Sequence, residues 1–244
     1  MSKFDTTEVL KAYDILEPGE TDSWNPVGND YELAYRLSLF YCLTKALGLS
    51  YIPLKSLKVL DVGCGNGRST RMYLDLGLEA SQLIGIDVRE GAIALAKKLN
   101  PAINFISYDG NLIPFPDQSF DWLQIACVFS SIKTQQSRQN LARELYQKIQ
   151  PGGYLFYYDL CRDISFDGDG GNLIWPTKLF SGFSFKKIWH SPIRRFNFIP
   201  NDHKISNLVQ SLCLFSREQI SQNLRISLGG FIRPSHEVLL IQKI

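Results

Sequence analysis

Three glycines at alternate positions, in Asp61-Val62-Gly63-Cys64-Gly65-Asn66-Gly67, stand between a β-rich run, Val59 to Val62, and a helical pattern from Ser69 to Leu76. A strand that passes through such a turn into a helix leaves unpaired helix N–H groups at its carboxyl end, and the missing Cβ atoms let a ligand lie against the backbone. The alternation then repeats. Leu83 to Asp87 reads as a strand, Gly91 to Leu99 as a helix, Ile103 to Tyr108 and Trp122 to Phe129 as strands, and Ser137 to Ile149 as a helix. Pro151-Gly152-Gly153 turns into the run Tyr154 to Asp159. Strict alternation predicts a parallel sheet with helices on both faces, and apolar runs without polar alternation fit strands covered on both sides. The expected class is α/β, a Rossmann-like doubly wound sheet.

Ahead of the first strand, Leu33, Leu37, Phe40, Leu43 and Leu47 recur at helical spacing, and Gly48 is the expected stop. Tyr13 to Tyr31, with Pro18, Trp24, Asn25 and Pro26, has no period and reads as an ordered arm or flap. Beyond Cys161 come a Gly/Asp-rich loop at Asp167 to Gly171, an aromatic and basic segment at Phe183 to Phe198, a helix near Ser216 to Asn223 and a last strand, Glu237 to Ile241. At 244 residues the chain is expected to form one domain. Residues 1–57 supply the arm and first helix, 58–160 the ligand-binding core, and 161–244 the segment shaping a second substrate.

Hydrophobic residues make up 45% of the chain and charged ones 20%, which predicts a packed core. A formal net charge of +2 selects neither a nucleic acid nor an anionic membrane as partner. Cys42, Cys64, Cys127, Cys161 and Cys213 are widely spaced, with no metal-ligand spacing, and read as reduced thiols of a cytoplasmic protein without a metal. No secretory signal and no apolar stretch of about 18 residues is expected. Nothing chooses an oligomeric state.

Asp87, twenty residues after Gly67, closes the second strand, where a carboxylate can accept hydrogen bonds from both hydroxyls of a ribose. Tyr108-Asp109-Gly110-Asn111 closes the third. A carboxylate beside a backbone N–H suits the amine and ring nitrogens of adenine, so three strand ends converge on one adenosine. Arg68 stands where a dinucleotide fingerprint carries its last glycine, which counts against a nicotinamide-dependent dehydrogenase.

These residues, followed by Leu112-Ile113-Pro114-Phe115-Pro116-Asp117-Gln118-Ser119-Phe120-Asp121, resemble the class I S-adenosylmethionine-dependent methyltransferases, in the branch that reads D-x-G-C-G-x-G and then L-P-F-P-D-x-S-F-D. The resemblance runs from Val59 to Asp159 and implies the seven-stranded fold of that class, mostly parallel with an antiparallel last strand. It implies S-adenosylmethionine as cofactor and S-adenosylhomocysteine as product. Gly63, Cys64 and Gly65 would lie against the methionine part with Asp61 near its amino group. Asp87 would hold the ribose and Val88 flank the adenine, whose edge Asp109 and Gly110 would recognise; Asn111 and Cys127 complete the implied cofactor set. Asn111, where a small residue is usual, and Ser130-Ser131, in place of a His pair, depart from the family pattern. Cys127 to Ser131 with Tyr157-Tyr158-Asp159 also looks like enzymes of cell-surface polysaccharide and natural-product pathways, which suggests a small-molecule or glycoconjugate acceptor.

A methyl group on a sulfonium sulfur is already electrophilic, so holding an oxygen or nitrogen nucleophile in line is the main task, and a base is needed only for a protonated nucleophile. Ser130 and Asp159, near the strand carboxyl ends, are the candidate catalytic residues, and Trp24, Tyr31 and His190 join them as candidate acceptor contacts. Each has a plainer reading. Asp159 caps a turn, His190 sits on an edge strand with a solvated charged face, and the arm's aromatics pack a helix. Two rival functions are a non-catalytic scaffold of the same fold and a nucleic-acid methyltransferase. The second usually carries a Pro-Pro-aromatic motif where this chain reads Val128-Phe129-Ser130-Ser131.

Overall fold

Leu39, Leu43, Ala46 and Leu47 recur at three- and four-residue steps and are buried along one side of helix α1, Asp30–Ser50. The computed structural model describes residues 10, 27, 30–161, 174–193 and 236–244, and sets α1 against a seven-stranded sheet. α1 runs past Gly48, where the sequence predicts its end. The space around that glycine is open and nothing there forces the chain to turn. The helix ends instead at Ser50, whose hydroxyl donates to the Leu47 carbonyl at 2.7 Å, and Tyr51 follows in a left-handed conformation at φ 56°.

The chain continues through β1 (Val59–Val62), α2 (Met72–Asp75), β2 (Leu83–Asp87), α3 (Glu90–Leu99), β3 (Asn104–Ser107), β4 (Phe120–Ala126), α4 (Gln135–Lys148), β5 (Ile149–Leu160), α5 (Pro176–Leu179), β6 (Phe185–Ile193) and β7 (His236–Lys243). The sheet order is β3-β2-β1-β4-β5-β7-β6. Pairs among β1 to β5 are parallel, and β7 is antiparallel to both of its neighbours, so the last strand alone runs against the rest. This is the expected class I architecture. The order reverses between β1 and β4, and open α/β sheets bind ligands in the crevice outside the carboxyl ends at such a reversal.

β5 shows why both faces need cover. Tyr154, Phe156 and Tyr158 point to the side of α1, where Phe156 stacks on Trp122 at 6.1 Å and Tyr35 meets Tyr158 edge-on at 5.7 Å. Leu155 and Tyr157 point to the other side, against Ala142 and Leu145 of α4 and Phe180 after α5. With aromatic and aliphatic residues on both faces, the strand has no solvated side from Gly153 to Asp159.

Further element boundaries differ from the sequence reading, and β5 begins at Ile149, so that Pro151-Gly152-Gly153 lies within the strand and not in a turn before it. The helix expected from Ser69 to Leu76 is regular only in α2, because the hydroxyls of Ser69 and Thr70 both donate to Asp61 and the chain before Met72 is a series of turns. The strand expected from Trp122 to Phe129 stops at Ala126, since Cys127 adopts φ 57° and Phe129–Ser131 forms a single 3-10 turn.

Candidate functional site

Gly63, Gly65 and Gly67 all have positive φ, and each has a different neighbour. A Cβ on Gly63 would stand 2.3 Å from Val128 Cγ2, so the turn presses directly on the segment that follows β4. The N–H groups of Gly63 and Cys64 both donate to the Ile86 carbonyl, at 2.8 and 3.0 Å, which ties the turn to the end of β2. Gly65 N–H donates to Asp87 Oδ2 at 2.8 Å, and a Cβ there would meet only Arg89 Nη2, at 3.4 Å. Glycine at 65 therefore leaves backbone exposed beside charged groups. That is the surface a polar ligand with its own hydroxyls needs.

The three acidic residues expected at strand ends occupy different environments. Asp61 is fully buried under the turn. Its Oδ2 accepts from Thr70 at 2.6 Å and Ser69 at 2.7 Å, and burial raises its pKa against the pull of those hydroxyls. Its Oδ1 and the Nε2 of Gln124, on facing residues of β1 and β4, are buried without a hydrogen bond. Gln124 Oε1 accepts from the Tyr73 hydroxyl at 2.9 Å, which accepts from Trp122 Nε1 at 2.7 Å, so a buried polar chain runs beneath the glycine turn. Asp87, nearly buried, holds Gly65 through Oδ2 and the N–H and Nε of Arg89 through Oδ1, at 2.9 and 3.3 Å. Asp109 is exposed and accepts from the backbone and side-chain nitrogens of Asn111, both at 2.9 Å, which hold its carboxyl below the usual range. Gly110 beside it has φ 79°, and Val88 is half-buried between Asp87 and Arg89.

Arg68, read from sequence only as a missing glycine, donates to Glu32 Oε2 at 2.6 Å and lies over the Tyr35 ring at 4.5 Å. Glu32 also accepts from Arg36 at 2.7 Å. The carboxylate is buried on α1, so this pair clasps the N-terminal helix to the turn after β1. Glu32 was missed by sequence reasoning, although its spacing of four from Arg36 on one helix face was a signal. Tyr31 lies on α1 with its side chain outside the described residues, and Trp24, Tyr13 and Asn25 lie outside them altogether.

At the carboxyl ends of β4 and β5 the structure brings Ser130 and Asp159 together. Ser130 N–H donates to Asp159 Oδ2 at 3.3 Å and Leu160 N–H to Oδ1 at 2.7 Å. Asp159 is fully buried, which pushes its pKa up to about 6, with the nearby Ser130 hydroxyl and backbone N–H groups opposing the rise. Cys127, in its left-handed conformation, donates its N–H to the Tyr158 carbonyl at 2.8 Å. His190 does lie on an edge strand, β6, but its Nε2 is 3.1 Å from Glu237 Oε2 on β7. Lys186, Lys187 and His190 are all exposed, in agreement with an edge strand carrying a solvated charged face, and the neighbouring strand gives His190 a partner. The rest of that basic run, Arg194, Arg195 and Phe196, lies outside the described residues, as do His203 and Cys213.

Among the described residues no three His, Cys, Asp or Glu side chains gather as metal ligands, and no helix is long and apolar enough to cross a membrane. Cys42, Cys64, Cys127 and Cys161 are free thiols.

Residues 60–157 match the family described as a methyltransferase domain. Over 98 residues the chain is 35% identical to the demethylmenaquinone methyltransferase of Renibacterium salmoninarum, covering 40% of this chain and 39% of that protein. Over 99 residues it is 30% identical to a tRNA (carboxymethyluridine(34)-5-O)-methyltransferase of Saccharomyces cerevisiae, covering 41% and 34%. The match thus spans about two fifths or less of the length of these curated relatives. Among solved structures, an S-adenosylmethionine-dependent methyltransferase from Archaeoglobus fulgidus superposes with a TM-score of 0.55 at 18% identity, covering 85% of this chain and 94% of that one. Residues 60–157 thus resemble a methyltransferase domain, and the chain shares the fold of the Archaeoglobus fulgidus enzyme.

Proposed function

We propose that this chain is an S-adenosylmethionine-dependent methyltransferase that transfers a methyl group to an oxygen or nitrogen of a small molecule, in the cytoplasm and without a metal. The observation that carries the reading is Gly65 N–H on Asp87 Oδ2 at 2.8 Å, which poises a buried carboxylate beside open glycine backbone at the carboxyl edge of β1 and β2. The donor set fits the cofactor. Asp87 has the acceptor oxygens for two ribose hydroxyls, with Val88 beside the adenine, and Asp109 with Gly110 and Asn111 suits the adenine edge. Gly63, Cys64 and Gly65 would face the methionine part, with Asp61 near its amino group and Cys127 across the crevice.

Bound S-adenosylmethionine supplies a methyl carbon on a positively charged sulfur. The chain's contribution is position and proton handling. α1, clasped by Glu32 and Arg68, forms a wall of the crevice, and Trp24 and Tyr31 are further candidate acceptor contacts by their place in the sequence. Asp159, with its pKa raised to about 6, is suited to take a proton from an acceptor hydroxyl or ammonium, with Ser130 beside it to orient that group. His190 completes the acceptor contacts. The two curated relatives act, by their names, on a demethylmenaquinone and on a tRNA uridine, so the acceptor class is read from this chain's own residues and near-neutral charge. A homocysteine-release assay across small amines and alcohols tests the reading. Retention on heparin and methylation of bulk tRNA, with no turnover of any small molecule, would overturn it in favour of a nucleic-acid enzyme.

A further inference from the structure

Asp87 closes β2, and Arg89 stands two residues on, at the position from which α3 starts. That spacing turns both the backbone N–H and the side chain of Arg89 back onto the carboxylate. Oδ1 accepts from Arg89 N–H at 2.9 Å and from Arg89 Nε at 3.3 Å, while Oδ2 accepts from Gly65 N–H at 2.8 Å. The far end of the same guanidinium reaches the glycine turn, where Nη2 stands 3.4 Å from the place of a Gly65 Cβ. The arginine thus lies across the carboxylate and the bare backbone of residue 65, the two surfaces a ribose would use. With it there, the Asp87 side chain is only 7% exposed.

An ionised carboxylate has about four acceptor positions, two on each oxygen. Three are taken at Asp87, two by backbone N–H groups and one by the Arg89 side chain. One position is left, on Oδ2, and a ribose offers two hydroxyls. Both can donate to Asp87 only when Arg89 Nε–H leaves Oδ1. The contact that must yield is the longest of the three, and its donor belongs to a long side chain 15% exposed to solvent. The two backbone donors stay where the strand end and the helix start hold them, so the carboxylate keeps its orientation when the side chain moves off.

We propose that Arg89 is a specificity-determining residue for the sugar of the cofactor: its side chain competes with one ribose hydroxyl for Asp87 Oδ1 and moves aside when the diol binds. This rests on the S-adenosylmethionine reading and adds to it a residue that reading does not use. A ligand with a single hydroxyl takes the position left on Oδ2 and leaves Arg89 in place. A ligand with two hydroxyls gains a second charge-assisted hydrogen bond but loses the Arg89 contact, so Arg89 narrows the preference for ribose over deoxyribose.

The test is calorimetric titration of S-adenosylhomocysteine and its 2′-deoxy analogue into the full chain as wild type, Arg89→Ser and Arg89→Met. Serine removes the side-chain donors, keeps both backbone donors on Asp87 and is favoured at a helix start, so α3 is not weakened. Methionine keeps the length of the stem without a donor, which separates lost packing from lost competition. S-adenosylhomocysteine should bind each variant about fivefold more tightly than wild type, and the deoxy analogue should bind all three proteins within about twofold. Unchanged or weaker binding of S-adenosylhomocysteine by the variants overturns the competition, as does an equal gain for both ligands, which would make Arg89 a source of charge alone. Each of those results leaves the cofactor reading standing, because wild type still binds S-adenosylhomocysteine. Binding to none of the three proteins overturns that reading and the role of Arg89 with it.

Discussion

The Arg68 guanidinium and the Glu32 carboxylate meet at 2.6 Å, joining a helix that precedes the first strand to the turn that follows it. The Glu32 side chain is 1% exposed and serves Arg36 as well, so two cations depend on one buried acid. Removing one partner of a buried pair leaves an uncompensated charge and typically costs about 3 kcal/mol. Glu32→Gln should therefore unfold at clearly lower denaturant concentration than wild type. Because the pair positions α1 against the turn, S-adenosylhomocysteine affinity should fall with it. Chemical denaturation paired with calorimetry checks both.

Gly63 and Gly77 form a matched comparison. Both have positive φ, at 74° and 89°, but an added Cβ meets Val128 at 2.3 Å in the first and nothing within 4 Å in the second. Gly77→Ala should cost about 1 kcal/mol from backbone strain alone and leave ligand binding unchanged. Gly63→Ala carries the same strain plus a displacement of Val128 from the turn, and should abolish S-adenosylhomocysteine binding. Melting curves with and without the ligand separate the two.

The alternation of strand and helix was legible because the buried strands are short apolar runs, as in Val59 to Val62, set between helical patterns. The parallel, doubly wound sheet followed from that pattern, and the seven strands with an antiparallel last one from the family resemblance. What was hidden depended on contacts between distant segments. Glu237 and Asp159 become neighbours only when β7 inserts between β5 and β6, and nothing local to either residue signals it. Gln124 is a polar residue in an apolar run, and its partner Tyr73 lies 51 residues away. The end of α1 was misplaced because Gly48 breaks a helix only where the chain is also required to turn, and there it is not.

Asp159 ties stability to pH. Its folded pKa of about 6 is raised above the unfolded value of about 3.9. Between these values the folded state holds the proton more tightly than the unfolded chain, so this residue's contribution is most favourable at or below about pH 4 and is lost as pH rises to about 6. The size is about 3 kcal/mol by linkage. Asp159→Asn removes the titration, so the stability difference, variant minus wild type, should grow as pH rises across that window and level off above it. Denaturation midpoints measured from pH 4 to pH 8 for both proteins would show a flat difference if Asp159 titrates normally.

The central claim is that the Asp87 carboxylate and the glycine turn it holds bind S-adenosylmethionine. Calorimetric titration of S-adenosylhomocysteine and NAD into wild type, Asp87→Asn and Asp87→Ala tests it most directly. The expected result is micromolar binding of S-adenosylhomocysteine to wild type, weakened at least about tenfold in both variants, with no heat from NAD. Absence of binding to wild type, or equal affinity in all three proteins, would contradict the account.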